Sequence, residues 1–174
     1  VPPLRGSELG AAGWGSPADP PLPGLTDKPL VTRDLLPLGS PGAMDLLYAL
    51  DNRFQNGTID PDAIAPVARL LGVDTIWVAD DLAFDRFRTP RPEIVSALFG
   101  DEPNGLGTPV AYGAPRANVP DIAIVDEQTL TDARIGTPLP AVELVPVDDP
   151  QSIVRIADRV VVLANREPYI HERR

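Results

Sequence analysis

The strongest folding signal lies in residues 40–81, where two helix patterns are followed directly by a strand pattern. Ser40 and Pro41 predict a helix start, since serine caps a helix N-terminus and proline is tolerated at the first helical position. Apolar residues then recur at intervals of four, three and four, as one helix face requires. They are Ala43, Leu47, Leu50 and Phe54. Gly57 ends this helix, because glycine readily adopts the left-handed conformation that follows many helices.

A second helix pattern begins after Asp60 and leads into an apolar run of strand length. Asp60 and Pro61 repeat the start signal, and an apolar stripe continues up to Gly72. Pro66 lies deep enough in this pattern to remove a backbone hydrogen bond, so we expect a kink or a late start. Residues 75–79 are apolar without interruption, which is typical of a strand covered on both faces. The whole stretch therefore predicts half of an α/β unit.

Another helix and several strands are predicted in the remainder of the chain. Thr89 is expected to cap a helix whose first residue is Pro90 and whose last is Gly100. From residue 108 onward, short apolar runs separated by proline, glycine and aspartate indicate strands. These runs are residues 110–112, 122–125, 142–147, 153–156 and 160–163.

The predicted fold class is α/β, with a mixed sheet and flanking helices in the first half, a strand-rich second half and long Pro-rich loops. Residues 1–39 are expected to form a Pro-rich extended loop segment, residues 40–107 an α/β unit, and residues 108–174 a strand-rich continuation. The 22 prolines concentrate between the periodic stretches, which favours ordered loops with little regular structure.

Charge and composition argue against several classes of function. The formal net charge of −10 disfavours a nucleic-acid partner, because phosphate recognition needs a basic surface. With no cysteine and a single histidine, His171, we expect no metal, no cofactor and no histidine-based catalysis. No apolar run approaches the roughly 20 residues that span a bilayer. Since the chain begins at Val1 without methionine, we interpret it as a piece of something larger or a processed product.

The Pro-rich segment carries the preferred glycan-contact residues. Trp14 offers an aromatic platform, and Asp19, Arg33 and Asp34 offer bidentate hydrogen-bonding groups of the kind that sugars accept. Loops carry binding residues disproportionately, which favours a substrate-binding role for these four side chains. The alternative is structural: Arg33 and Asp34 hold the loop in place.

Two further groups follow the predicted strand. Arg86, Arg88 and Arg91 cluster in an otherwise acidic chain and could contact an anion such as a polyprenyl phosphate or a lipid headgroup. The alternative is ion pairing with nearby carboxylates, which are Asp81, Asp85 and Glu93. Asp80 and Asp81 end the strand, where α/β sheets place ligands, and could bind a cation or act as a base. The alternative here is a polar turn that caps the following residue.

Residues 14–158 resemble a known family. The matching segments are 19–26, 29–34, 36–40, 43–51, 74–78 and 83–93. Their order and close spacing are similar to the extracytoplasmic soluble region of actinobacterial membrane arabinofuranosyltransferases of the AftD type.

The resemblance implies a parent enzyme of the GT-C type that transfers arabinofuranose from a polyprenyl-phosphate donor to cell-wall arabinan. Its catalytic acidic residue would lie on a loop beside the first membrane helices, so no catalytic residue is carried over to this chain. The implied partners are the membrane-embedded remainder of the enzyme and an arabinan or other glycan. The implied location is the extracytoplasmic face of the cytoplasmic membrane, with a supporting or acceptor-binding role for this segment.

Two other hypotheses remain open from the sequence. One is a non-catalytic glycan-binding or interaction module without a membrane partner. The other rests on the tail, residues 159–173, which is similar to the first strand and loop of trehalose-phosphate-synthase-like glycosyltransferases. In those enzymes an Asn-Arg pair, here Asn165 and Arg166, follows the strand, and the arginine faces a sugar phosphate.

Overall fold

The computed structural model describes residues 22–31, 41–87, 89–120 and 125–156. The helices in these ranges are α1 (Leu22–Leu25), α2 (Pro41–Gln55), α3 (Ile64–Leu70), α4 (Phe84–Phe87), α5 (Pro92–Gly100) and α6 (Glu127–Thr131). A 3₁₀ turn at Pro61–Ala63 precedes α3. The strands are β1 (Thr75–Ala79), β2 (Val110–Tyr112) and β3 (Val142–Pro146). Among the described residues, no helix combines the length and apolar character needed to cross a membrane.

The two helix ends predicted from glycine are confirmed. Gly57 and Gly72 both adopt the left-handed conformation, with φ of 63° and 70°. At the second site the N–H of Val73 donates to the carbonyl of Ala68 at 2.8 Å, which closes the last turn of α3. Both helices therefore end in a Schellman arrangement, in which residues beyond the helix satisfy its free carbonyls.

The position at which α3 begins shows how the helix accommodates Pro66. Asp60 caps the 3₁₀ turn by accepting a hydrogen bond from the N–H of Asp62 at 3.1 Å. The α-helix itself begins only at Ile64, so Pro66 lies in its first turn. Backbone N–H groups there have no partner within the helix, and the proline removes nothing from it. The late start, rather than the kink, is confirmed.

The sheet joins the first half of the chain to the second. Its order is β1-β3-β2, and both pairings are antiparallel. The predicted α/β class is confirmed, but the sheet is antiparallel throughout the described strands rather than mixed. The expectation that residues 75–79 are covered on both faces is wrong, because burial alternates along β1: Ile76 and Val78 are buried, whereas Thr75 is exposed.

The hydrophobic core lies between one face of this sheet and helices α3 and α5, and the end of α2 closes it. Its members are Phe54, Ile59, Ile64, Ala65, Ala68, Ile76, Val78, Val95, Phe99, Leu106, Val145 and Val147. The rings of Phe54 and Phe99 stack with their centroids 6.5 Å apart. This contact fixes α2 against α5.

Helix α5 begins two residues later than the sequence predicts. Pro92, rather than Pro90, occupies its first turn, and Arg91 is the N-cap residue, so the cap assigned to Thr89 is wrong. A residue that precedes proline is driven away from the helical conformation. Arg91 accordingly has extended backbone angles, φ −63° and ψ 137°, and the helix cannot include it.

The strand predictions after residue 108 have mixed outcomes. Residues 110–112 and 142–146 are strands, and Val147 adds an isolated bridge to Leu106. Residues 153–156 are not a strand: Val154 is 90% exposed, and nothing in the described residues pairs with this segment. Their apolar, β-branched composition fits a strand, but a strand also needs a partner edge. Residues 122–124 and 160–163 lie outside the described residues.

Candidate functional site

The end of β1 places Asp80 inside the protein. The N–H of Asp80 donates to the carbonyl of Ala141 at 3.0 Å, so the residue continues the ladder between β1 and β3. Since side chains alternate along a strand, Asp80 points to the same face as Val78, which is the core face. The side chain is 1% exposed, and neither carboxyl oxygen has a hydrogen-bond partner.

Two glutamates approach the same region from neighbouring elements. Glu143 pairs with Val78 across the β1–β3 ladder, and its Oε2 accepts a hydrogen bond from Ser96 Oγ at 2.9 Å. Glu93, in the first turn of α5, is 4% exposed and accepts a hydrogen bond from the N–H of Gly136 at 2.9 Å. Its second oxygen, Oε2, has no partner. Three elements therefore contribute carboxyl groups around the end of β1.

This environment changes the acidity of Asp80. Burial raises its pKa to about 7, and the neighbouring charges of Glu143, Asp81 and Glu93 act in the same direction. Both effects disfavour the ionised form, because a buried charge loses hydration and like charges repel. Near neutral pH, Asp80 is therefore divided between its neutral and charged forms.

Arg91 forms a second polar group on the other side of the start of α5. It is 6% exposed, and its Nη2 donates to Asp126 Oδ2 and Thr129 Oγ1, both at 2.9 Å. Its guanidinium carbon lies 5.2 Å from the centroid of the Phe84 ring, within the range of a cation–π contact. These contacts hold α4, α5 and α6 together.

Asp126 owes its low pKa to a helix cap. It is the N-cap residue of α6, and its carboxylate accepts hydrogen bonds from the backbone N–H and the hydroxyl of Thr129. These two bonds and the one from Arg91 lower the pKa of Asp126 to about 2. The carboxylate is therefore ionised at any physiological pH.

The chemistry open to Asp80 is limited by its burial. A carboxyl group with 1% exposure cannot reach a substrate as a base. Among the described residues, no group of three or more His, Cys, Asp or Glu side chains is placed to hold a metal ion. The side chain does not cap the following turn either; instead, Asn118 Nδ2 donates to the backbone carbonyls of Asp80 and Leu82, at 2.9 and 2.8 Å.

Most of the predicted contact residues have side chains that lie outside the described part of the structure. Outside the described residues lie Trp14, Asp19, Arg33, Asp34, Arg88 and His171. Arg86 belongs to α4 by its backbone, and its side chain is outside the description as well. Arg91 is described, and it forms an ion pair as the alternative interpretation expected, although with Asp126 rather than with the nearby carboxylates.

Several residues of the polar clusters were not singled out from the sequence. The cap at Asp126 has a local signal, since aspartate is a preferred N-cap residue. Glu143 and Ser96 have no such signal, because 47 residues separate them and only the fold brings them together. The burial of Glu93 could not be predicted either, because an acidic residue in the first turn of a helix is normally expected at the surface, where it interacts with the helix dipole.

Comparison with known proteins gives one family. Residues 3–168 match the model of the alpha-(1->3)-arabinofuranosyltransferase N-terminal GT-C domain, and this range includes most of the tail that resembled another enzyme class. The cryo-EM structure of arabinofuranosyltransferase AftD from Mycobacteria is 29% identical, with a TM-score of 0.62, over 83% of this chain. Two classes of a mutant of AftD from Mycobacteria are 28% identical, with TM-scores of 0.63, over 86% and 84%.

The chain is much shorter than these solved relatives. It spans only 10% to 11% of their length. No curated protein matches it. The family model therefore gives the family, and the solved relatives give the fold of this segment; most of each related enzyme lies beyond the matched region.

Proposed function

Since the chain belongs to the AftD-type arabinofuranosyltransferase family, we propose that it is the extracytoplasmic portion of a membrane enzyme that transfers arabinofuranose from a polyprenyl phosphate to cell-wall arabinan. The observation that carries the proposal is the family match over residues 3–168, together with the structural similarity to AftD. In this proposal the remainder of the enzyme supplies the chemistry. The carboxyl groups of Asp80 and Glu93 are buried and have no part in this chemistry.

The segment itself has a supporting and acceptor-binding role in this proposal. Trp14 would stack on a sugar ring, and Asp19, Arg33 and Asp34 would accept and donate hydrogen bonds to its hydroxyls. Their place on a Pro-rich segment supports this assignment, because such loops combine extended reach with limited conformational freedom. The arabinan chain would then be held beside the membrane core while the donor sugar is transferred.

Calorimetric titration with an arabinan oligosaccharide tests the acceptor-binding role. We expect the 174-residue chain to bind, and Trp14→Ala and Arg33→Ala each to weaken the affinity about tenfold, since one lost contact of this kind is worth roughly 1.4 kcal/mol. Tyr48→Ala and Arg134→Ala are matched controls, because Tyr48 is 42% exposed on α2, the Arg134 side chain is 53% exposed in a turn, and neither residue belongs to the Pro-rich segment. Equal losses in all four variants, or no binding by the parent chain, would remove this role.

The predicted arginine cluster supports a second proposed contact, with the phosphate of the polyprenyl-phosphate donor. Arg86 and Arg88 would contact the phosphate of a polyprenyl phosphate or of an anionic lipid, whereas Arg91, bound to Asp126, holds the segment that carries them. Vesicles with and without polyprenyl phosphate, at equal anionic lipid content, separate the two phosphate sources. Arg86→Ala with Arg88→Ala should abolish the binding; unchanged binding by this double variant would exclude the contact.

The second candidate is a non-catalytic glycan-binding or interaction module. It is favoured by strand β2, which lies at one edge of the sheet formed by the described strands and carries Val110 and Tyr112, 48% and 53% exposed. An edge strand with exposed apolar side chains suits association with another protein. The two candidates predict different parent genes. A longer reading frame with many apolar spans supports the membrane enzyme, and a reading frame without them supports the module.

A further inference from the structure

Asp80 and Glu93 are buried acidic side chains that the proposed function does not use. Asp80 is 1% exposed with no partner for either carboxyl oxygen, and Glu93 is 4% exposed with one oxygen unpartnered. Buried polar groups in proteins are nearly always hydrogen-bonded, so each exception needs a physical reason. An ionised carboxylate at the position of Asp80 would lack both water and a donor, which is costly.

The fold itself brings the carboxyl groups together. Glu143 lies opposite Val78 in the β1–β3 register, and Asp80 follows Val78 by two residues, so Asp80 and Glu143 are diagonal neighbours on one sheet face. Helix α5 covers that face through Val95, which belongs to the core. Glu143 is fixed there by its hydrogen bond from Ser96 of α5. A charge on Asp80 is therefore placed at the contact between the sheet and α5.

The charged groups that act on Asp80 among the described residues are acidic. They are Asp81 in the same turn, Glu143 on β3 and Glu93 on α5. Arg91, just before α5, does not compensate them: its Nη2 is bound to Asp126, and its guanidinium lies over the Phe84 ring. Nothing in the described surroundings of Asp80 thus favours its ionised form.

We propose that Asp80 is a proton-binding switch: its neutral form permits close packing of α5 on the sheet, and its ionised form loosens that packing. The loosening reaches the loop of Asn118, whose side chain is tied to the carbonyls of Asp80 and Leu82. Through this switch, a change in pH alters the packing of α5 and of the Asn118 loop at the end of β1. It goes beyond the proposed transfer and binding roles.

The sign of the effect follows from the direction of the shift. Burial raises the pKa of Asp80 to about 7, above its ordinary value of 3.8 in the unfolded chain. A raised pKa means that the folded state holds the proton more tightly. The resulting stabilisation is complete below the unfolded value and is lost as the pH rises through about 7.

Urea unfolding of the 174-residue chain between pH 5 and pH 8.5 tests the switch. For a folded pKa of about 7, linkage predicts that the folding equilibrium constant falls about tenfold between pH 6 and pH 8. Asp80→Asn, which is neutral at every pH, should remove this fall. Asp149→Asn, which removes one charge from an exposed loop, should keep it. Parallel pH profiles for the parent chain and Asp80→Asn would overturn the proposal.

A second measurement covers the case in which Asp80→Asn does not fold. The carboxyl ¹³C shift of Asp80 in the unsubstituted chain reports its titration directly, and a midpoint below pH 5 would overturn the proposal. Amide hydrogen exchange, corrected for its intrinsic pH dependence, locates the response. We expect protection at residues 95–99 to fall between pH 6 and pH 8 while residues 43–54 keep theirs; a uniform change, or none, would contradict the local switch.

Discussion

Nη2 of Arg91 lies 2.9 Å from Oδ2 of Asp126, although 35 residues separate the two in the chain. The arginine side chain is 7% exposed and the aspartate 44%, so the pair joins a buried cation to a partly hydrated carboxylate. Each residue is also the N-cap of a helix, α5 and α6 respectively. The ion pair therefore fixes where two helices begin relative to each other.

Replacing Arg91 by alanine should destabilise the chain. The variant loses hydrogen bonds to Asp126 and Thr129 and the contact with Phe84, and we expect a cost of about 2 to 3 kcal/mol for a buried arginine of this kind. Arg91→Lys should recover part of the loss, because lysine keeps the charge but not the planar group. Urea unfolding at pH 7 measures both.

Arg134→Ala is the matched control for this prediction. Arg134 is 53% exposed and its ion pair with Asp132 is local, and such surface pairs contribute little to stability. The midpoint of unfolding should stay within error of the parent chain. A loss as large as that of Arg91→Ala would mean that the effect follows charge removal in general and not the buried pair.

Acid should weaken the α6 cap through Asp126. The backbone N–H and the hydroxyl of Thr129, followed by Arg91, lower the pKa of Asp126 to about 2, from an ordinary value of 3.8. A lowered pKa gives stabilisation that is present above the unfolded value and is lost as the pH falls through the folded one. The stability advantage of the parent chain over Asp126→Asn should therefore shrink between pH 5 and pH 2, which circular dichroism during urea unfolding can follow. A constant difference across this range would show that the cap does not depend on ionisation.

Alanine substitutions at three glycines distinguish the cost of backbone strain from the cost of a steric clash. Gly72→Ala places a Cβ in the left-handed region and 3.1 Å from Ile153 Cγ1, whereas Gly57→Ala meets only the backbone strain. A left-handed residue with a Cβ costs about 1 to 2 kcal/mol, so both variants should lose stability, with Gly72→Ala losing more. Gly42→Ala, in α2 with open space around its Cβ, should gain roughly 0.5 to 1 kcal/mol instead. Thermal unfolding of the three variants checks this order, and a loss at Gly42 would contradict it.

The local parts of the fold were predictable from sequence. Asp60 as a cap, Gly57 and Gly72 as stops, and residues 75–79 as a strand all depend on neighbours within one or two turns. The start of α5 was also local, but two prolines competed for the same role. Pro92 prevailed because it forces Arg91 out of the helical conformation.

The long-range parts were not predictable. Residues 153–156 have the composition of a strand, yet Arg155 instead donates to the carbonyl of Leu70 at the end of α3, at 2.7 Å, and leaves the apolar neighbours exposed. Adjacent acidic residues at Asp80 suggested an accessible ligand site, whereas the ladder to β3 turns the side chain inward. Pairing of distant segments decides both outcomes, and no local pattern encodes it.

Substitutions at Phe99 test the importance of the contact between α2 and α5. The Phe99 side chain is 1% exposed and stacks on Phe54, so Phe99→Ala should leave a cavity and cost about 3 to 5 kcal/mol. Phe99→Leu retains most of the volume and should cost less than about 1.5 kcal/mol. Leu130→Ala, at a side chain 76% exposed, should change stability by less than about 0.5 kcal/mol. Urea unfolding ranks the three, and similar losses for Phe99→Ala and Leu130→Ala would show that α5 does not pack on α2 as described.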